Sequence, residues 1–146
     1  MGERKLFVED VAVGDEGPPL THTLTRTDLV RYAGASGDFN PMHHDEVLAV
    51  AAAQPSVFGH GMFSMGVLGT AITGYVGVGN LVRYRVRFTH QTWPGETLMT
   101  KVVVRAVRPS TDDERRHLVD LDVRLVNEEG EEKVVGEATA VLASRG

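Results

Sequence analysis

Residues 61–78 read G-M-F-S-M-G-V-L-G-T-A-I-T-G-Y-V-G-V and form the most apolar stretch of the chain. Small residues recur along this stretch at spacings of four, three and four: Gly66, Thr70, Thr73 and Gly77. Those spacings place them on one helical face, while Met65, Leu68 and Ile72 make the other sides apolar. A helix that is apolar nearly all round is surrounded by the rest of its domain. We therefore predict a buried central helix over residues 62–78, and its glycine and threonine content argues against a membrane span.

After this helix the apolar pattern changes its period. Residues 81–90 read L-V-R-Y-R-V-R-F-T-H. In this run Val82, Tyr84, Val86 and Phe88 alternate with Arg83, Arg85, Arg87 and Thr89, which is typical of a strand with one buried and one wet face. Three more β-rich runs follow, at residues 97–107, 117–126 and 133–142, and the last two are joined by a glycine-bearing hairpin loop.

Two shorter helices are predicted before the central one. Thr25 lies three residues before Asp28, an approximate capping box for a helix that ends near Gly34 and Gly37. Residues 45–53 have the composition of a second helix, which the Gln54-Pro55 pair stops. Short helices, a long helix and then four consecutive strands indicate an α+β fold. We predict one domain over residues 1–146, with an antiparallel sheet curled around the central helix.

Composition narrows the possible functions. The chain has 146 residues, of which 42% are hydrophobic and 24% charged, as in ordinary globular proteins. A net charge of −5 argues against a nucleic-acid partner, since nucleic-acid binding needs a clustered basic excess. The lack of cysteine excludes disulfides and thiolate metal sites and suits a reducing, cytoplasmic location. Residues 1–10 contain no apolar signal core, and Leu6 stands where a myristoylation signal at Gly2 needs serine or threonine.

Residues 36–45, S-G-D-F-N-P-M-H-H-D, concentrate groups capable of acid/base chemistry. Asp38 and His43 would be roughly 17 Å apart in a strand and on different faces of a helix. Asn40-Pro41 breaks both regular structures, so the segment is predicted to be a turn that can bring the two side chains together. Residue types alone leave two interpretations open, a surface turn between two helices or a general acid/base pair.

A family resemblance separates these interpretations. Residues 37–49, G-D-F-N-P-M-H-H-D-E-V-L-A, resemble the hydratase signature of the MaoC-like family, the (R)-specific enoyl-thioester hydratases of hot-dog fold. G-H-G-M at 59–62 resembles the start of that family's central helix. V-R-F-T-H-Q-T-W-P-G-E-T-L at 86–98 resembles its strand and turn, with Glu96 in place of the usual aspartate. Within the family, the chain is most similar in style to mycobacterial (3R)-hydroxyacyl-thioester dehydratase subunits.

The resemblance implies a hydro-lyase. Its reaction is the reversible syn hydration of a trans-2-enoyl thioester, carried by coenzyme A or an acyl carrier protein, to a (3R)-3-hydroxyacyl thioester. No metal or redox cofactor is expected. Asp38 and His43 match the catalytic pair, and Asn40 matches an asparagine that orients it. Gly61 matches the position whose backbone N–H donates to the thioester oxygen at the first turn of the central helix.

Other residues have weaker functional interpretations. Four apolar side chains could line an acyl channel, although ordinary core packing would look the same: Phe39, Met42, Phe63 and Tyr75. Three arginines could meet coenzyme A phosphates or an acidic carrier protein, or could simply form a solvated strand face: Arg83, Arg85 and Arg87.

The histidines and glycines also raise alternatives. His43, His44 and His60 invite a zinc site, but the chain has no H-E-x-x-H spacing and no cysteine, so we expect none. His44 is instead interpreted as an exposed neighbour, and His60 as a residue that shapes a turn. G-Y-V-G-V-G-N at 74–80 follows a helix and precedes a strand, the reverse of a dinucleotide-binding loop, and is interpreted as the helix exit.

A curled sheet leaves open edges, so we expect a dimer, either with a second copy or with a related hot-dog subunit.

Two other functions stay open. A hot-dog thioesterase would use a similar fold, but the D-x-N-P-x-H run argues against it. A non-catalytic partner subunit would be expected to lose the acid/base pair, which this chain keeps.

Overall fold

The computed structural model describes residues 5–146, and Gly2 therefore lies outside the described residues. Three helices are α1 (Arg26–Ser36), α2 (Glu46–Ala51) and α3 (Gly61–Val76). Five strands are β1 (Thr21–Thr23), β2 (Leu81–Phe88), β3 (Thr97–Pro109), β4 (Arg116–Val126) and β5 (Glu132–Ala143). Two 3₁₀ turns lie at Val8–Asp10 and Pro41–His43.

The strands form a five-stranded antiparallel sheet in the order β1-β3-β4-β5-β2. The predicted runs for β3, β4 and β5 each lie inside the observed strand. β1 was not predicted, because three residues are too few to show an alternating pattern. It is placed by its pairing with β3, in which His22 lies opposite Leu98. The α+β class and the antiparallel sheet packed on a central helix are confirmed.

The helices begin and end largely where the sequence indicated. Thr25 caps α1, and Thr25 and Asp28 exchange both bonds of the capping box. α1 ends at Gly37, whose positive φ of 76° is the left-handed conformation that glycine adopts readily. Asp45 caps α2 by accepting a hydrogen bond from the backbone N–H of Leu48.

The core lies between one side of α3 and the inner face of the sheet. Leu68 and Ile72 are fully buried there, packed with Val102, Val123 and Ala138 of three different strands. Each large aliphatic side chain buried in this way stabilises the fold by about 1.5–3 kcal/mol.

The prediction that α3 is surrounded on all sides is wrong for one of its faces. Met62, Gly66, Thr70 and Gly74 are exposed, because a single five-stranded sheet covers only the opposite side. None of the described helices combines the length and the apolarity that a membrane crossing requires.

β2 also departs from its predicted pattern. Tyr84 and Val86 pack toward the core as expected, and the Tyr84 hydroxyl donates to the Met65 carbonyl at 2.8 Å. Val82 and Phe88 are exposed instead. β2 is an edge strand with an irregular register between Leu81 and Arg83, which interrupts the regular alternation of its side chains.

Candidate active site

The turn after α1 folds because its polar side chains bond to its own backbone. Asp38 Oδ1 accepts from the backbone N–H of Asn40 at 3.2 Å, and Asn40 Oδ1 accepts from the N–H of Met42 at 3.1 Å. Pro41 then starts the 3₁₀ turn that carries His43. Such side-chain turns reverse the chain within a few residues, which brings Asp38 and His43 face to face.

His43 is held in one orientation. It is only 7% exposed, and its Nδ1 lies 2.6 Å from the carbonyl oxygen of Phe58. A carbonyl can only accept, so Nδ1 carries a proton, and in the neutral tautomer Nε2 then presents a lone pair. Nε2 lies 3.9 Å from Asp38 Oδ2, whose side chain is 53% exposed. This gap is too long for a direct hydrogen bond, but a single water bonded to both atoms fits it.

His60, which the sequence indicated only as a turn residue, belongs to this cluster. Its Nε2 lies 3.1 Å from the backbone carbonyl oxygen of Asp38 and donates to it. Its ring stacks on that of His43, with centroids 3.8 Å apart and planes 30° apart. Burial lowers the pKa of His60, which keeps this imidazole neutral. The only sequence signal for this role is its place directly before the first residue of α3.

Donor atoms of Asp38, His43 and His60 lie within 4.8 Å of one another, a spacing that could suggest a metal. The ring geometry does not fit a metal. Because the two imidazoles are stacked, their in-plane lone pairs run side by side rather than toward a common point, whereas a metal needs converging ligands.

Gly61 is the first residue of α3, and the first bond of that helix runs from the N–H of Ser64 to the carbonyl of His60, at 3.3 Å. The N–H of Gly61 therefore has no partner within the helix and lies at the positive end of the helix dipole. A Cβ at this position would lie only 3.1 Å from the ring of Phe88. Glycine thus permits the aromatic ring to approach this N-terminus.

A cavity of about 350 Å³ opens beside Gly61. Its wall includes Phe58, Ser64, Phe88, Thr92, Lys133 and Val134. Asp38 and His43 do not line it. The cavity and the Asp38–His43 pair meet at residues 58–61, where the Phe58 carbonyl holds His43 and Gly61 faces the cavity.

A buried ion network supports one side of this cavity. Lys133 is 1% exposed, and its Nζ donates to the carbonyl of Gln91 at 2.9 Å, to Glu96 at 2.8 Å and to Glu131. Burial acts to lower the pKa of Lys133, but the hydrogen bonds to Glu131 and Glu96 outweigh it and raise the pKa, so the ammonium stays charged. Glu96 also accepts from the N–H of Trp93 at 2.8 Å. The glutamate in place of the usual aspartate thus joins the turn to β5, a role that no local pattern indicated.

The four predicted channel residues do not line one cavity. Phe39 is exposed on the turn, and Met42 packs against the core. Phe63 contacts the ring of Tyr32, at a centroid distance of 5.6 Å. Tyr75 lies near the other end of α3, about 21 Å along the helix from its start. None of the four touches the cavity beside Gly61, and their role in substrate binding stays a prediction.

The three arginines of β2 are exposed and alternate with its inward-facing residues. Arg83 pairs with Glu137 at 3.3 Å. A role for this stripe in binding a carrier also stays a prediction.

Comparison with known proteins adds to this geometry. The chain is 28% identical over 144 residues to the (R)-specific enoyl-CoA hydratase of Rhodospirillum rubrum, covering 96% of this chain and 94% of that protein. It is 38% identical over 82 residues to 3-hydroxyacyl-thioester dehydratase Y of Mycobacterium tuberculosis. That match covers 53% of this chain and only 28% of the mycobacterial protein, so the chain spans just over a quarter of that relative.

A solved structure shares the fold. The MaoC-like dehydratase from Rhodospirillum rubrum superposes with a TM-score of 0.83 at 24% identity, over 97% of this chain and 99% of that one. The architecture is therefore the hot-dog fold of the MaoC-like structures. The MaoC like domain family matches residues 12–127, which is most of the chain and includes Asp38, His43 and Gly61. On this match, the chain belongs to the family of MaoC-like domains.

Proposed function

We propose that this protein is a hydro-lyase that reversibly hydrates trans-2-enoyl thioesters of coenzyme A or an acyl carrier protein to (3R)-3-hydroxyacyl thioesters. One observation carries the proposal. The carboxylate of Asp38 and the bare Nε2 of His43 face each other across 3.9 Å, a gap that suits one shared water.

In the proposed reaction, Asp38 and His43 together take up as many protons as they deliver. The oxygen of the shared water bonds to C3 of the enoyl group, and the pair takes up one proton from that water. The pair delivers one proton to C2, so it ends in its starting protonation state. Because both steps use the same side of the double bond, the addition is syn. Asn40 and His60 are positioning residues here, since they hold the turn and the His43 ring without reaching the substrate.

The intermediate carries negative charge on the thioester oxygen, which needs a donor. The N–H of Gly61 is free of helical partners and is aided by the α3 dipole. It supplies that donor in the proposed mechanism, and its place between the His43 anchor at Phe58 and the cavity supports the assignment.

The active form is proposed to be a dimer. β2 pairs with β5 on one side only within the described sheet, which leaves a strand edge open. Val82 and Phe88 expose apolar surface along it. A second copy, or a related hot-dog subunit, would cover both the edge and the apolar side chains.

The decisive assay is incubation of the purified protein with crotonyl-coenzyme A, following loss of the enoyl absorbance and release of free thiol in parallel. Loss of absorbance without thiol release is expected. Thiol release without hydration would instead identify a thioesterase. Neither signal, even with longer or carrier-linked substrates, would identify a non-catalytic partner subunit.

A further inference from the structure

Two residues that line the cavity beside Gly61 carry buried hydroxyl groups without a partner. Ser64 is 2% exposed and Thr92 is 3% exposed, and both line this cavity. Neither Ser64 Oγ nor Thr92 Oγ1 has a hydrogen-bond partner in the described part of the chain. Buried hydroxyls are nearly always hydrogen-bonded in folded proteins, because an unpaired one is unfavourable. Two such groups on one cavity therefore indicate that the cavity is built to bind something polar.

The backbone holds both hydroxyls in place. Ser64 lies in the first turn of α3, and its hydroxyl does not bond back to the helix as a serine often does. The carbonyl of Thr92 accepts from the N–H of Gly59 at 2.8 Å. A Cβ on Gly59 would collide with Thr92 Oγ1, so the hydroxyl occupies its place only because residue 59 is glycine.

The rest of the wall leaves these hydroxyls as its free buried donors. Phe58, Phe88 and Val134 are apolar. The ammonium of Lys133 is already bonded to a carbonyl and two carboxylates. Thr89, His90 and Gln91 also line the cavity, but these three residues are exposed. Among the buried side chains of the wall, Ser64 and Thr92 carry the hydroxyls that have no partner in the described part of the chain.

The volume of the cavity decides which arm of the substrate it can hold. A thioester whose oxygen is bonded to the Gly61 N–H has two arms. The sulfur arm continues into coenzyme A or a carrier protein, which is far larger than 350 Å³ and must reach solvent. Only the acyl arm can end against buried groups such as Ser64 and Thr92.

We propose that this cavity holds the acyl arm, and that Ser64 and Thr92 hydrogen-bond a hydroxyl or carbonyl oxygen on it. The substrates are then enoyl thioesters with an oxygen substituent beyond the double bond. The inference rests on the proposed hydratase function. A plain alkyl arm would leave both hydroxyls unpaired, and an unpaired buried polar group is the basis on which polar sites discriminate strongly between substrates.

The test compares matched substrates that differ by one oxygen. These are 5-hydroxypent-2-enoyl- and 6-hydroxyhex-2-enoyl-coenzyme A, each against its unsubstituted parent. The wild-type protein should favour one oxygenated substrate over its parent in kcat/KM by about tenfold or more. Ser64→Ala and Thr92→Val each remove a hydroxyl and should reduce that ratio toward one.

Two controls accompany these variants. Thr92→Ser keeps the hydroxyl and should keep the ratio. Thr70→Ala removes a hydroxyl from the exposed face of the same helix, where it bonds the Gly66 carbonyl, and should leave the ratio unchanged. Thermal unfolding midpoints establish that every variant is folded.

The outcomes separate the two proposals. Hydration of all substrates with a wild-type ratio near one, or a ratio that Ser64→Ala and Thr92→Val do not alter, would overturn the assignment of the cavity and leave the hydratase function intact. If Ser64→Ala and Thr92→Val lower kcat/KM equally for both substrates of a pair, the hydroxyls hold the sulfur arm. That result would also overturn the assignment of the cavity to the acyl arm. No hydration of any substrate would overturn both proposals.

Discussion

Replacing Asp38 with asparagine should separate catalysis from folding. The asparagine retains an oxygen that can accept from the N–H of Asn40, so the turn should persist. The Asp38 side chain is 53% exposed and lies 3.9 Å from His43. Because this half-exposed carboxylate makes no direct hydrogen bond to His43, its replacement should change the free energy of unfolding by less than about 1 kcal/mol.

The rate should change far more. An amide cannot exchange a proton with the shared water, and general acid/base groups contribute about 10²–10⁴-fold. This corresponds to a rise in the activation free energy of about 2.7–5.4 kcal/mol. The assay is kcat for hydration of crotonyl-coenzyme A, measured beside a urea unfolding curve for the same preparation.

Asp45→Asn is the matched control. Asp45 lies on the same segment, and its Oδ1 accepts from the N–H of Leu48 at 3.1 Å, a bond that asparagine can also make. This variant should keep wild-type kcat. The reasoning fails if Asp38→Asn retains more than a tenth of wild-type kcat, or if Asp45→Asn loses as much activity as Asp38→Asn does.

Three further changes test other contacts. His60→Asn should lower kcat by up to about 10²-fold with little effect on KM, since it removes the ring that stacks on the neighbouring imidazole; a wild-type kcat would remove His60 from any positioning role. Lys133→Met should lower the free energy of unfolding by about 3 kcal/mol in urea, because Glu96 loses a buried counter-ion. Adding Glu96→Gln should recover part of that loss, and an unchanged midpoint for Lys133→Met would contradict the pairing. Hydrogen bonding to Arg108 holds the pKa of Asp120 below its ordinary value. The ionised carboxylate therefore stabilises the fold at pH values above its unfolded-state pKa. This contribution is lost as the pH falls through the lower pKa of the folded state. The stability difference between wild type and Asp120→Asn should therefore shrink below about pH 4, and a difference independent of pH would show that ionisation is not involved.

Most of the fold could be predicted because it rests on local patterns. The capping box of Thr25 with Asp28, the proline at 41 and the β-rich composition of β3, β4 and β5 each act within a few residues. β1 could not be predicted, since only its pairing with β3 defines it. The exposure of Val82 and Phe88 in β2 could not be predicted either, since it depends on which distant segments cover them.

The candidate site likewise combines contacts that the sequence could predict with contacts that it could not. The turn that brings Asp38 toward His43 is made by hydrogen bonds between residues two apart, which the order of residues encodes directly. Stacking of His60 on His43 joins segments 17 positions apart in the chain, and no periodicity reports such a contact. The same holds for the bond from Lys133 to Gln91.

By itself the sequence therefore determined the order of the helices and of the four long strands and the turn at Asn40-Pro41. Through the family resemblance it also indicated Asp38 and His43 as candidates for the acid/base pair. Tertiary structure decided that His60 joins this pair, that Lys133 is buried and charged, and that Ser64 and Thr92 line one cavity and carry hydroxyls without partners. The physical reason is range: caps and turns act between neighbours in the chain, whereas burial and the pairing of buried polar groups depend on which distant segments pack together.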